Sequence, residues 1–253
     1  MARIAVWGLA KSGTTGLWSN LAKSYPPRYL HFFEGTYLPS RYNKYFGGKH
    51  PDKNSGDVLS KQIIGPDFDW SNLTASDKVI WLVRDPRDRL ISYILYRHYD
   101  HGYSDDNFVK NQLELLRKKE QDPDSVTLMD LESRLLLPQP TLDSAFFWGD
   151  HQKWGALTHL IEEGRVFIFK YEDFVSQNYN QLESFLGLKI KGHGKVPRQF
   201  QRVVRSKTYG FWDHWFTERD QQNYRPLFQP FLQHYDYQDE WSLTKDKKID
   251  PQH

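Results

Sequence analysis

The chain predicts an α/β fold, a single domain with a central parallel sheet flanked by helices, and three observations carry that expectation. Short, mostly apolar runs at residues 4–7 (IAVW), 29–33 (YLHFF), 79–83 (VIWLV) and 166–170 (VFIFK) have the length and the branched or aromatic content of buried strands. Helical patterns alternate with these runs. The first run also passes through a Gly-rich turn directly into a helix, as strands of a parallel sheet do when a helix carries the chain back across one face.

Composition sets the frame. A chain of 253 residues with 38% apolar and 16% aromatic side chains can bury a proper core, which argues against disorder and against a small stapled scaffold. One domain is expected over residues 1–245, followed by a polar tail, 246–253, expected to fray. Lys+Arg at 34 against Asp+Glu at 32 leave a net charge of +2, without the basic excess of a general nucleic-acid binder, so any anion site must be local. The absence of cysteine removes disulfides, thiolate metal sites and cysteine nucleophiles together. No run reaches the 18 or so apolar residues of a membrane span, and the opening segment lacks a small-residue cleavage site. A soluble, cytoplasmic protein with no membrane or nucleic-acid partner is the expectation.

Taken in order, Ile4 to Trp7 reads as the first strand, Gly8 to Thr15 as a loop, and Leu17 to Tyr25 as a helix stopped by Pro26 and Pro27. Tyr29 to Phe33 follows as a second strand. Val79 to Val83 runs into the turn-rich RDPRD and then an amphipathic stretch around Leu90 to Tyr99. Trp154 to Glu163 has a helical pattern that precedes the Val166 to Lys170 strand, and Tyr179 to Leu186 reads as a helix ended by Gly187. Gly47 to Gly56, Gly102 to Asp106 and the charge run Lys118 to Asp124 read as solvated loops.

The chemistry concentrates in the first turn. Residues 8–15, GLAKSGTT, lie across the eight positions of a Walker A loop, G-x-x-x-x-G-K-[ST]; both glycines and Thr15 fit. Thr14 stands in the place of the phosphate-reaching lysine, and a lysine appears three residues earlier, at Lys11. The expected fold is therefore P-loop NTPase-like, with altered nucleotide chemistry. Backbone N–H groups at such a turn bind anions whatever the side chains are.

The KSGTT sequence of this turn resembles the 5′-phosphosulfate loop of the sulfotransferases that use 3′-phosphoadenosine 5′-phosphosulfate (PAPS). The family's second signature is an arginine ending a strand and a serine eight residues on, and Arg84 and Ser92 supply it. Tyr171-Glu-Asp-Phe174 is similar to the family's Tyr-Glu-Asp segment, whose tyrosine lies near adenine. The Phe185-Leu-Gly-Leu188 stretch resembles the helix ending that follows it. Gly210 to Thr217 is similar to its Gly-x-Trp-x-x-x-Phe-Thr element, and Arg205-Ser-Lys207 occupies the place of a basic loop over the 3′-phosphate. The matches run in the family's order from residue 7 to 217.

The resemblance implies sulfuryl transfer from PAPS to a hydroxyl or amine of a small-molecule or glycan acceptor, with adenosine 3′,5′-bisphosphate (PAP) as product and no metal. It implies nucleotide contacts from Lys11, Ser12, Gly13, Thr14, Thr15, Gly16, Arg84, Ser92, Tyr171, Arg205 and Lys207. Lys11 would stabilise the leaving phosphate. Lys61 would reach the transferring sulfonate. The general base is assigned to Glu34, which ends the second strand 23 residues after Lys11, because the histidine that cytosolic members carry two residues past a lysine is absent after Lys61. His98 and His214 are the alternatives, and His31 is expected in the core. Gly16 departs from the family, since cytosolic members commonly carry there a tryptophan that stacks on adenine; here Trp18 comes two places later. The segment through which cytosolic members dimerise keeps only Thr217. Two other classes remain open at this point: a P-loop small-molecule kinase using ATP and Mg²⁺, and a non-catalytic module on a nucleotide fold.

Overall fold

The computed structural model describes residues 2–26, 28–33, 36–37, 56–64, 76–97, 106–133, 151–191, 196 and 208–249. Its strands are β1 (Arg3–Leu9), β2 (Leu30–Phe33), β3 (Thr36–Tyr37), β4 (Val58–Ile64), β5 (Lys78–Val83) and β6 (Val166–Lys170). Its helices are α1 (Thr14–Ser24), α2 (Pro86–Arg97), α3 (Asp106–Gln121), α4 (Leu128–Ser133), α5 (His151–Glu162), α6 (Tyr171–Val175), α7 (Asn180–Leu186), α8 (Trp212–Trp215) and α9 (Glu218–His234). Among the described residues no helix is long and apolar enough to cross a membrane. The chain divides into two compact units, Met1–Arg84 with Asp150–Val204, and Asp85–Gly149 with Arg205–His253.

The first unit holds the sheet, in the order β3-β2-β4-β1-β5-β6. Every pairing from β2 to β6 is parallel, and only the short β3 runs antiparallel, against β2. The predicted parallel α/β architecture is thus observed. The central strands β1 and β5 are buried almost throughout, which is why they read as continuous apolar runs rather than alternating ones. Ile4, Val6, Leu59, Ile80 and Leu82 from the sheet pack with Leu17 and Leu21 of α1 in one apolar core.

Two strands are additions to the sequence reading. β4, inserted between β2 and β1, carries Ser60, Lys61 and Gln62 in its middle, and this polar stretch hides its strand character. β3 has only two residues.

The second unit is helical in its described residues. Leu90 and Ile94 of α2, Leu131, Trp212, Phe216, Phe228 and Trp241 form its core. Arg87 is buried in it, bonded through Nε and Nη2 to both carboxylate oxygens of Asp85, with its guanidinium 4.0 Å from the Trp212 ring and 5.2 Å from that of Trp241. Thr217 caps α9 in a reciprocal capping box with Asp220, whose other oxygen accepts the Leu128 N–H at 2.8 Å.

Two expectations change here. The charge run from Lys118 is not a solvated loop: Lys118 and Lys119 belong to α3, and Lys119 is fully buried, its ammonium donating to the carbonyls of Pro123 and Val126. Burial pushes its pKa down to about 8. The tail is also held further than composition suggested. Ile249 is buried in the core, Lys247 pairs with Asp124, and the main chain of Lys248 meets His214 Nδ1. Residues 250–253 lie outside the described residues.

Candidate nucleotide-binding site

The turn between β1 and α1 is shaped by two residues with positive φ. Lys11 has φ +68° and Gly13 has φ +91°. Gly13 is the N-cap of α1 and offers no side chain to it, so the N–H groups of Thr14, Thr15 and Gly16 precede the first intrahelical bond, Leu17 N–H to Gly13 C=O at 3.1 Å. These amides and the positive end of an eleven-residue helix form the anion-binding geometry expected of the GLAKSGTT sequence. Ser12 and Thr14 are buried, the latter with its methyl group toward Gly8; Lys11, Thr15 and Gly16 are half-buried.

Glycine is required at two places in this turn by neighbours as well as by backbone. A Cβ on Gly13 would lie 2.5 Å from Cδ2 of Tyr171, and one on Gly16 would lie 2.9 Å from Cζ of Phe174. Two aromatic residues three apart on α6 therefore cover two glycines three apart on the loop. This role of Phe174 is not among the expectations drawn from the sequence. The matched spacing, 13 and 16 against 171 and 174, was its available signal. The same contact gives a physical reason for the missing tryptophan at position 16, because the Phe174 ring already fills that space.

Arg84, the last residue of this unit's first segment, follows β5 directly and is buried. Its Nη1 donates to Lys11 C=O at 3.2 Å, and its guanidinium lies 4.3 Å from the centroid of the Tyr171 ring. Its Nε is buried with no hydrogen-bond partner among the described residues. A buried guanidinium with a spare donor fits an anionic ligand. Tyr171, expected near adenine, is itself buried at the start of α6, its ring engaged by Gly13 and Arg84.

Lys61, in the middle of β4 and in register with Val6, is 1% exposed, with its ammonium 4.2 Å from the centroid of the Phe33 ring. Trp18 is fully buried, edge-on to Phe33 and His31, with its indole nitrogen 3.5 Å from Leu59 C=O; it belongs to the core and cannot replace a tryptophan at position 16. His31 is buried as expected, and burial pushes its pKa down from 6.5 to about 4, so it is neutral at physiological pH.

Ser92 is half-buried on α2, in the second unit. His214, also in the second unit, has its Nδ1 3.1 Å from the carbonyl of Lys248. Glu34, Arg205, Lys207 and His98 lie outside the described residues. The first unit thus brings Lys11, Gly13, Arg84 and Tyr171 into one contiguous set.

No protein-family model matches the chain, and no curated protein does. Solved structures do. The chain is similar to a mouse sulfotransferase complexed with PAP, at 14% identity, a TM-score of 0.57, and coverage of 93% of this chain and 86% of that one. It is also similar to retinol dehydratase in a complex with retinol and PAP, at 15% identity, a TM-score of 0.51, and coverage of 93% and 82%. At such identities the likeness is one of fold, and it agrees with the strand order and the turn described above: the chain has the sulfotransferase fold.

Proposed function

We propose that the protein is a PAPS-dependent sulfotransferase acting on a small-molecule or glycan acceptor. The observation that carries this reading is the joint geometry of the GLAKSGTT turn and Arg84. A helix N-terminus capped by Gly13 suits one phosphate. A buried guanidinium whose Nε has no partner among the described residues, bonded to the same turn, suits a second. The fold shared with two PAP complexes is consistent with this pair of anion sites.

The residues that would hold PAPS are Ser12, Gly13, Thr14, Thr15 and Gly16 around the 5′ end. Arg84, Ser92, Arg205 and Lys207 would hold the 3′-phosphate. When bound, PAPS supplies a sulfuryl group on a phosphate leaving group. The chain's own residues then have two tasks. Glu34 takes the proton of the acceptor hydroxyl or amine as its oxygen or nitrogen bonds to sulfur. The Lys11 ammonium meets the negative charge left on the phosphate oxygen as the sulfur–oxygen bond breaks. Lys61, a buried cation on the strand next to β1, offsets the charge of the sulfonate oxygens.

The kinase reading is less favoured. Thr14 stands in place of the Walker A lysine, and Asp85, which would have to serve as the metal-holding aspartate, is occupied by both Nε and Nη2 of Arg87. The test is transfer of labelled sulfate from PAPS to a panel of alcohols, phenols, amines and sugars, with and without chelator. Transfer that persists with chelator supports the reading. Phosphoryl transfer from ATP that requires Mg²⁺ overturns it.

A further inference from the structure

Resting on the sulfotransferase reading, we propose that Tyr171 is a positioning residue: its ring fixes the Lys11 turn, directly through Gly13 and indirectly through Arg84. The two residues of the turn with positive φ are Lys11 and Gly13, and both lead to this one side chain. The ring edge lies where a Cβ of Gly13 would be, 2.5 Å from Cδ2 and 2.8 Å from Cε2. The ring face carries the Arg84 guanidinium at 4.3 Å, and Arg84 Nη1 donates to the Lys11 carbonyl at 3.2 Å.

A lysine adopts φ +68° only when its surroundings hold it there. Without the Tyr171 face the guanidinium loses its orientation, the bond to the Lys11 carbonyl loosens, and the turn relaxes toward negative φ. The Lys11 ammonium then leaves the phosphate whose charge it must meet. Both of these contacts are made by the ring. Tyr171 therefore acts on the 5′ side of the site through Lys11, and an anion on Arg84 and the placement of Lys11 become properties of one braced unit.

In PAP the 5′-phosphate carries the full charge that Lys11 is proposed to meet, so PAP affinity reads the lysine without any acceptor. The experiment is a double-mutant cycle by calorimetric titration of PAP into the wild type, Tyr171→Leu, Lys11→Ala and the double variant, with Tyr171→Phe as the conservative control. Tyr171→Leu is expected to weaken PAP tenfold or more in the wild-type background and threefold or less in the Lys11→Ala background, and Tyr171→Phe, which keeps the ring, to change PAP affinity by the same factor in both backgrounds. An equal fold loss in both backgrounds overturns the proposal, because a purely structural role would not depend on Lys11. Should the leucine variant not fold, Tyr171→Phe still decides: an equal factor in both backgrounds keeps the coupling with the ring, whereas a loss that shrinks in the Lys11→Ala background, with only the hydroxyl removed, overturns a role carried by the ring. A wild type that binds PAP no better than ADP overturns the sulfotransferase reading itself, a result distinct from an additive cycle on a protein that binds PAP well.

Discussion

The guanidinium of Arg84 stacks on the ring of Tyr171, 4.3 Å from its centroid, while donating a hydrogen bond to the carbonyl of Lys11. A flat cation held between a ring and a carbonyl is oriented before any ligand arrives. Its pairing with an anion then loses little orientational freedom.

Arg84→Ala is accordingly expected to weaken PAP by about 1.5–3 kcal/mol, the usual worth of a hydrogen bond to a charged group, or at least tenfold. Arg84→Lys should recover little of this, because an ammonium neither stacks nor forks. Calorimetry reads both; unchanged affinity in the alanine variant would remove Arg84 from the site.

Gly13→Ala places a methyl group 2.5 Å from the edge of the Tyr171 ring, at a backbone angle that disfavours any side chain, so a loss of about 1–3 kcal/mol in unfolding free energy is expected. Gly16→Trp should also destabilise, through its collision with Phe174. Combining it with Phe174→Ala should restore part of the loss. Urea unfolding of the three variants checks this, and a tryptophan at position 16 tolerated without the second change would refute the packing argument.

His31 gives the protein an acid-side pH dependence. Buried, its folded pKa lies at about 4, against the ordinary value of 6.5. Between these values the unfolded chain binds a proton that the folded chain does not. The stability contribution is therefore complete above pH 6.5 and is lost as pH falls toward 4, by about 3 kcal/mol in all. Unfolding midpoints measured at several pH values should show this slope in the wild type and a shallower one in His31→Leu; identical slopes would mean that His31 titrates normally.

Turnover should respond to the two proposed reacting side chains. Lys11→Ala is expected to slow transfer by about 10²–10³, as removal of a preorganised oxyanion donor does. Glu34→Gln is expected to slow it by about 10²–10⁴ through loss of the general base. Both variants should keep the wild-type unfolding midpoint. Normal rates in Glu34→Gln would move the base to another residue, with His98 and His214 next to be substituted.

The sequence disclosed the fold where burial is uniform. β1 and β5 are covered on both faces and stand out as apolar runs, whereas β4 carries a buried lysine and two other polar residues in its middle and shows no such run. Lys119 misled in the same way: a lysine in a charge run looks solvated until two carbonyls are found to satisfy its ammonium. In the site, the Gly-rich turn and Arg84 could be read from motif spacing. Their mutual contact could not, because it joins residues 73 apart in the chain. The part of Phe174 was hidden for a related reason, since a phenylalanine three residues after Tyr171 looks like ordinary core until Gly16 is seen beneath it.

The central claim is that one nucleotide with two separate phosphate groups fits this site. Calorimetric titration of the wild-type protein with PAP and with ADP, side by side and without metal, tests it most directly. Binding of PAP at least tenfold tighter than ADP is the predicted result; equal affinity for the two, or no binding of PAP, would contradict it.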